Sequence, residues 1–598
     1  VANNKVTWQH SFKWKPPEFN SVDFLVEFDK KDRLTQTTGD NIKQYRTMRL
    51  RAGYDPNKHG YNNPCGDIMD DKLPSYTDAG RDSNGNGAAT TTRQYIPALF
   101  FPTGPYDDMA HMSNRFTAKD AGHIFAENNE VIADNTVVEF RYDLDASVGW
   151  RWIPIRVRHD KTEDYHRCVR KFGSDYTRNG WKFGNDYSVA NNNWQSIHNP
   201  VTEEMISTGR GIPDTAENAD TYYETGGGGT RYQSQTRGLR DFHNLYVKRM
   251  LIAAVAKPGD QMIDYAVGKG GDIPKWIHGK LSFVYGLDIA PDNIDNKMDW
   301  CCARYLGVRA RYHTVPDCLF VQADSGKLIG TGDAFGSDRG RITTDALFGK
   351  GKKDSAVLGK GVYRMHGRVA GGFDVGSIQF AIHYMCRDKE TFHNFLRNVS
   401  ETVKLGGRFI ATCYDGSNVI SRLRDVVKGE GVSLSRNGRK IWGIVKQYDD
   451  DEFDATDKCL GKAIDVFQES INKVFCEYLV HPEYLKEQMA HYGFDLTEQE
   501  DTVGKSPSEN IHGTGTFESL YKELVRENSQ YGSSAKRNYG TATHMSVEET
   551  KISFLNRYYV FKKNRQVDAK KVYETLMGAQ DAQDARDARD ARDTQDAK

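Results

Sequence analysis

No two of the nine cysteines in this 598-residue chain stand in a CxxC spacing, and their number is odd. That speaks against a zinc site and against a disulfide framework, and it predicts a reducing compartment. Long apolar runs are also missing. Stretches such as "MLIAAVA", Met250–Ala256, are far too short to cross a bilayer, so no membrane partner is expected. Charge of one sign is not in excess: 81 basic and 82 acidic residues leave a net charge of −1. Any nucleic-acid surface must therefore be local. The chain starts "VANNK", with neither an initiator Met nor a signal peptide, and reads as part of a longer, non-secreted polypeptide. A mean hydropathy of −0.70 with 27% charged residues describes a polar, soluble protein. Its length predicts about three to five domains.

What is present changes in character along the chain. Residues 34–95 are polar and rich in Gly and Asn ("DSNGNGAATTT"), which predicts a long loop or insertion. From Tyr95 to about Thr162, the β-rich runs "YIPALFF", "VVEFRYDL" and "WRWIPIRVR" are separated by turn residues and predict a small barrel or sandwich. The run "ETGGGGTR" marks a linker. After it an amphipathic segment, "LRDFHNLYVKRMLIAAVA", precedes apolar strands that alternate with helical stretches. That pattern predicts a mostly parallel sheet covered on both faces. The C-terminal "DARDARDAR" repeat holds nothing larger and apolar than Ala and reads as a solvated tail.

The stretch "IDYAVGKGGDIPKW", Ile263–Trp276, carries the chemistry. A phosphate-cradling loop needs Ser or Thr after its Lys, yet Lys269 is followed by Gly270. The dinucleotide fingerprint needs a third glycine where Ile273 stands. What remains is a strand ending in Asp264, a glycine loop, and a second strand carrying Asp288 about 20 residues on, where such folds meet a ribose diol. A third strand ends in Asp324. Three acids at the ends of consecutive parallel strands suit a nucleoside with a positive group, S-adenosylmethionine, better than a polyphosphate. For the loop alone, a structural turn of the same fold is the alternative reading.

"GKGGDIPKW", "LDIA", "FDVGSIQFAIHY", "LGGRFIATCYDG", "INKVFCEYLV" and "LNRYYVFKK" stand in the order found in messenger-RNA cap (guanine-N7) methyltransferases, which the chain resembles over about 231–563. Upstream, "FKWKPPEFNSVDF" resembles the last nucleotidyltransferase motif of messenger-RNA guanylyltransferases. "WIPIRVRHDKT" resembles the RxDK motif of their oligonucleotide-binding (OB) barrel, and "NNNWQSIHNPVT" the segment after it. The whole resembles the C-terminal half of a multidomain capping enzyme of large DNA viruses. The implied fold is multidomain, an OB-fold β-barrel followed by an α/β Rossmann-like methyltransferase. The implied boundaries are 1–25 for the end of the nucleotidyltransferase domain, 26–165 for the barrel with a polar insertion, 166–230 for a post-barrel segment and linker, 231–565 for the methyltransferase and 566–598 for the tail. The covalent lysine of a KxDG motif is absent from these residues, so the resemblance does not extend to guanylate transfer by this chain.

The resemblance implies residue roles. Lys248, Asp264, Ala266, Gly268, Asp288, Asp324, Gln379 and Tyr384 would bind S-adenosylmethionine, with Ala266 where the family usually has glycine. Lys269, Asp272, Arg304, His383, Tyr384, Glu477 and Tyr558 would bind the cap, and His243 and Asn244 the RNA. Asn244 and Lys248, four apart, would share a helix face. Lys13, Lys15, Arg158, Asp160 and Lys161 would be remnants of phosphate contacts. Guanine N7 is an unprotonated lone pair at neutral pH, so no acid–base residue is expected and positioning does the work. Trp300, Cys301 and Cys302 lack a partner arrangement and read as packing residues. Expected partners are 5′-capped mRNA and a stimulatory subunit or the transcription machinery, in the cytoplasm (a viral factory) or the virion. Competing readings are a non-catalytic RNA- or partner-binding scaffold and a methyltransferase acting on another substrate.

Overall fold

The computed structural model describes residues 19–30, 34–38, 41–76, 95–117, 122–173, 181–210, 234–499, 511–531 and 539–578. Lys13, Lys15, the glycine run and the DAR repeat lie outside them. The described residues fall into two compact units. One draws on Val1–Pro64, Ala79–Glu217 and Asp295–Asp299, the other on Cys65–Asp78, Asn218–Ile294 and Trp300–Lys598.

The first unit is built on an antiparallel sheet of β1 (Val22–Phe28), β2 (Leu34–Thr38), β3 (Asn41–Tyr54), β4 (Ile96–Leu99), β5 (Met112–Phe116), β8 (Thr136–Tyr142) and β9 (Trp152–Val157). A two-stranded sheet, β6 (Ile124–Phe125) with β7 (Val131–Ile132), accompanies it. The 34–95 stretch, read above as a loop, contains the longest strand of this sheet. In β3 the side chains of Met48, Leu50, Ala52 and Tyr54 are buried at every second position, while Arg49 and Arg51 pair outward with Asp29 and Glu27, each at 2.6 Å. Arginines and a glycine between the apolar positions hid a period of two that the pleat requires. The core is aromatic: Phe24 lies 5.0 Å from Phe100 and 5.0 Å, edge-on, from Trp152. Trp194, on the helix Tyr187–His198, closes one side and donates its ring N–H to the Pro105 carbonyl at 2.8 Å. At the end of β9, Arg158 (2.7 Å) and Lys161 both bond one oxygen of Asp23 in β1, and Asp160 is exposed.

The second unit holds β10 (Gln261–Asp264), β11 (Phe283–Asp288), β12 (Asp317–Gln322), β13 (Phe373–Gln379), β14 (Val403–Tyr414), β19 (Phe494–Leu496), β20 (Thr514–Thr516) and β21 (Asn556–Lys563). Its order is β12-β11-β10-β13-β14-β21-β19, with β20 also on β21. The five strands β10 to β14 are parallel, and β21 joins antiparallel. Every residue of β11 is buried, as both covered faces demand. The order reverses between β10 and β13, a Rossmann-like switch point where the crevice beyond the strand ends takes ligands. A four-stranded antiparallel sheet, β15 (Gly431–Arg436), β16 (Arg439–Lys446), β17 (Ala463–Gln468) and β18 (Lys473–Tyr478), lies between β14 and β19 in the chain. The amphipathic segment is helical, but Phe242–Val247 forms a π-helical turn before the α-helix Lys248–Val255. Residues 569–578, grouped above with the tail, are helical too. No helix among the described residues is long and apolar enough to cross a membrane.

Gly286 sits in mid-β11 where a Cβ would come within 2.7 Å of the Phe320 ring and 2.9 Å of Val267. Gly286→Ala should therefore destabilise this unit by about 1–3 kcal/mol through overpacking. Its urea midpoint should fall at an unchanged m-value.

Candidate functional site

The switch point gathers the predicted acids. Asp264 is the last residue of β10 and is buried, with one oxygen accepting the Ala266 N–H at 3.2 Å. Burial, reinforced by the Asp272 carboxylate, pushes its pKa up to about 7, with Lys248 opposing. Asp288 ends β11 and accepts from Gly268 N–H (2.7 Å), Ala290 N–H (3.0 Å) and Asn293 Nδ2 (2.9 Å). Burial raises its pKa against these three donors. The bond to Gly268 folds the glycine loop back onto the sheet. Gly268 and Gly270 take φ of +54° and +67°, which only glycine adopts without strain. A Cβ at Gly268 would enter open space, whereas one at Gly270 would press on Cys301. Asp324, just past β12, accepts from Gly326 N–H at 2.9 Å and lies 3.8 Å from Lys327.

Gln379 closes β13, buried, and its Oε1 has no hydrogen-bond partner among the described residues. Phe380 follows with φ +59°, a left-handed conformation costing a non-glycine residue about 1–3 kcal/mol. Its N–H donates to the Thr412 carbonyl and hydroxyl, both at 2.9 Å, and these bonds hold the turn. The ring stacks on His243 at 5.0 Å and 15°. His243 shares a 2.9 Å bond with the Ser553 hydroxyl, and burial lowers its pKa to about 3, so the imidazole is neutral. Asn244, read from the resemblance as an RNA contact, donates to the Arg240 carbonyl of its own helix at 3.1 Å.

Lys248 and Asp272 meet. Lys248 Nζ donates to Asp272 at 3.1 Å and lies 5.7 Å from the Phe380 ring centre. Lys275, which sequence reasoning missed, pairs with the other Asp272 oxygen at 2.8 Å. Burial works to raise the Asp272 pKa, but the two ammonium groups outweigh it and hold the carboxyl below the usual range. Asp272, expected from the resemblance at the cap, is thus buried between two lysines. Lys269 is placed elsewhere, with Nζ 2.9 Å from the centre of the Trp300 ring. Arg304 lies one turn further along the helix Cys301–Arg309. Cys302, taken above as unpartnered packing, is disulfide-bonded to Cys65 with Cα atoms 5.5 Å apart. Proximity in the fold joins two cysteines 237 residues apart that no local spacing relates.

A third group stands at the start of the short helix Ile382–Met385. The His383 and Tyr384 rings are 4.2 Å apart, and His383 Nε2 is 3.6 Å from the Glu477 carboxylate on β18. Both His383 nitrogens lack hydrogen-bond partners among the described residues. Burial pushes Glu477 up to about 8 and His383 down to about 3. At neutral pH the pair is a neutral imidazole facing a mostly protonated carboxyl. Buried polar groups are rarely left unmatched, so this pair suits a ligand edge offering both donors and acceptors. Tyr558, buried on β21, is in register with Thr412 and pairs across to Gly515. Lys275 was legible as an i, i+3 partner of Asp272. The positive φ of Phe380 has no sequence signal.

Residues 216–564 match the family model described as the mRNA (guanine-N(7))-methyltransferase domain. The chain is 28% identical over 600 residues to a probable mRNA-capping enzyme of Acanthamoeba polyphaga mimivirus, an alignment covering 93% of this chain and 44% of that protein. It therefore spans less than half of that relative's length. An mRNA cap guanine-N(7) methyltransferase of Candida glabrata is 26% identical over 342 residues, covering 56% of this chain and 69% of its own. Among solved structures, a methyltransferase from Streptomyces caelestis matches 58% of this chain and 96% of its own at 12% identity with a TM-score of 0.30.

The charge states of the third group make stability depend on pH. Glu477 titrates near 8 when folded against its usual 4.5, so the folded chain holds that proton longer and loses stability as pH rises from about 4.5 to about 8. His383 contributes the opposite slope, its stability being present above 6.5 and lost as pH falls toward about 3. Above pH 6.5 only the Glu477 slope of this pair remains. Relative to the parent chain, Glu477→Gln should thus gain about 1–2 kcal/mol of stability between pH 6.5 and 8.5. Urea melts of both proteins at the two pH values measure it, and a constant difference would mean that Glu477 ionises normally.

Proposed function

The chain belongs to the mRNA (guanine-N(7))-methyltransferase domain family, and we propose that its crevice moves the methyl of S-adenosylmethionine to N7 of the guanosine cap of mRNA. One observation carries the residue-level reading. Asp264 and Asp288, both buried, end the neighbouring strands β10 and β11, and the unmatched His383–Glu477 pair involves the helix that follows β13, the strand on the other side of β10, which supports a cofactor site and a base-edge site at one sheet edge.

The residues fit the cofactor. The open cradle at Gly268, which a Cβ would fill, and the unpartnered Gln379 Oε1 leave room and one acceptor for it. Asp288 would accept from the ribose with the one lone pair its three present donors leave, and Asp324 would meet the adenine end. Asp264, near 7 without a cation, would ionise beside a positive sulfonium or amino group, which lowers a carboxyl pKa. When bound, S-adenosylmethionine supplies an electrophilic methyl. The chain's own task is to hold the guanine so that N7 faces that methyl. Glu477 would accept from guanine N1–H and the exocyclic amine, and binding those two donors draws it into the carboxylate form. His383 would offer its N–H to the guanine oxygen, Tyr384 and Tyr558 would bound the base, and Lys269 and Arg304 would face the triphosphate. No proton leaves N7, so no general base is needed, and the rate comes from alignment in a dry, preorganised site.

We read the first unit as the OB-fold barrel of a capping enzyme, with Arg158, Asp160 and Lys161 as its RxDK motif. The Asp23 carboxylate that binds Arg158 and Lys161 would store those cations until a nucleotide triphosphate competes for them. A stimulatory subunit or the transcription machinery would be the protein partner.

Two measurements test this. Asp288→Ala removes a charged acceptor from the ribose and loosens the glycine loop, so calorimetric affinity for S-adenosylmethionine should fall roughly 30- to 1000-fold, about 2–4 kcal/mol. An unchanged dissociation constant would place the ligand elsewhere. For the cap, an inosine cap lacks the exocyclic amine and leaves Glu477 short of a donor. Its turnover, and that of a guanosine cap by Glu477→Gln, should drop in kcat/KM by roughly 10- to 1000-fold, with cofactor affinity nearly unchanged. Equal turnover of guanosine and inosine caps would remove Glu477 from the site.

A further inference from the structure

We propose that Trp300, pinned by the Cys65–Cys302 disulfide, is a positioning residue that aims Lys269 at the capped 5′ end. The inference rests on the reading of Lys269 as a triphosphate contact. Lys269 stands between two glycines of positive φ, so its backbone is set by the loop, but four side-chain torsions would let the ammonium wander. The Trp300 ring removes that freedom. Its face meets Nζ at 2.9 Å, and an ammonium seated on an aromatic face is held by the ring quadrupole while its remaining N–H groups point away from the ring. The neighbouring Lys248 and Lys275 are both paired with Asp272.

Trp300 is itself well fixed. It is buried, in extended backbone, at the N-cap of the helix Cys301–Arg309 that also carries Arg304. The next residue, Cys301, touches the loop, for a Cβ on Gly270 would lie 3.2 Å from its sulfur and 3.3 Å from its Cα. The residue after that is bonded to Cys65 on the short helix Pro64–Met69, so the helix start is tied covalently as well. Loop, ring and bridge thus form one stack. Lys269 rests on Trp300, and Trp300 is held in place by the bridge at Cys302.

The test compares Lys269→Met, Trp300→Leu, Trp300→Phe and Cys65→Ser, using unmethylated capped RNA as substrate and calorimetry for S-adenosylmethionine. Trp300→Leu keeps an apolar side chain and removes the ring face. It should raise KM for capped RNA about 3- to 20-fold at nearly constant kcat and cofactor affinity. It should also flatten the dependence of log KM on log salt by about one phosphate contact, as Lys269→Met does. Trp300→Phe should restore both to within about twofold. Cys65→Ser should move KM in the same direction by a smaller factor. If Lys269→Met raises KM but Trp300→Leu does not, the positioning role is overturned while the phosphate reading stands. If Lys269→Met leaves KM unchanged, the phosphate reading fails and takes this inference with it. A Trp300→Leu protein that loses cofactor affinity, and that Trp300→Phe does not rescue, would show Trp300 to be packing only.

Discussion

The bond from Gly268 N–H to the Asp288 carboxylate, 2.7 Å long, is the contact on which the site depends. It ties the loop after β10 to the end of β11 and so shapes the crevice at the switch point. The same carboxylate takes Ala290 N–H and the Asn293 amide, fixing the start of the segment that follows β11. One buried acid therefore organises two loops and keeps residual acceptor capacity toward the crevice. Its charge is expensive to bury, and three donors offset that cost. Asp264 accepts the Ala266 N–H, and burial and the Asp272 carboxylate raise its pKa more than Lys248 lowers it, so its charge is far less well compensated.

The same logic separates the charged groups that hold the structure from those that await something. Asp272 has two ammonium partners and is depressed, and Asp415 is paired with Arg557 at 2.8 Å. These ion pairs are complete. His383 and Glu477 are not, being 3.6 Å apart and both driven by burial toward their neutral forms. A complete pair in that place would have to be broken before a base could enter. Under the proposed reading, an incomplete pair would bind an edge of matching donors and acceptors without that loss, and would reject an edge that leaves the carboxyl unmatched.

The parallel sheet was legible because its strands are apolar runs ended by acids: Ile263–Asp264, Leu287–Asp288 and the strand leading to Asp324 were all read from the residues alone. The order of β10 and β13 was not, since nothing local encodes which strands neighbour each other. In the first unit β3 escaped notice because its outward positions are arginines, whose acidic partners Asp29 and Glu27 lie far back in the chain. The site divided similarly. Acids and motif residues were visible, whereas the stacking of His243 on Phe380, the seat of Lys269 on Trp300 and the Cys65–Cys302 bridge are long-range contacts. The π-helical turn at Phe242–Val247 adds a residue per turn just before Lys248, so an i, i+4 argument from Asn244 could not foresee that Asn244 folds back on Arg240.

At Ala266 the resemblance places glycine, so this chain carries one extra methyl there. The backbone at Ala266 is not among the positive-φ positions, so no left-handed conformation has to be forced on a side chain. Its N–H is already committed to Asp264, which orients the peptide without help from glycine's freedom. The true demand for glycine falls two and four residues later, at Gly268 and Gly270, where φ is positive and where, at Gly270, a Cβ would also press on Cys301. Both positions are glycine in this chain. A methyl at 266 therefore puts no strain on the backbone, and the loop that Asp288 closes keeps its shape.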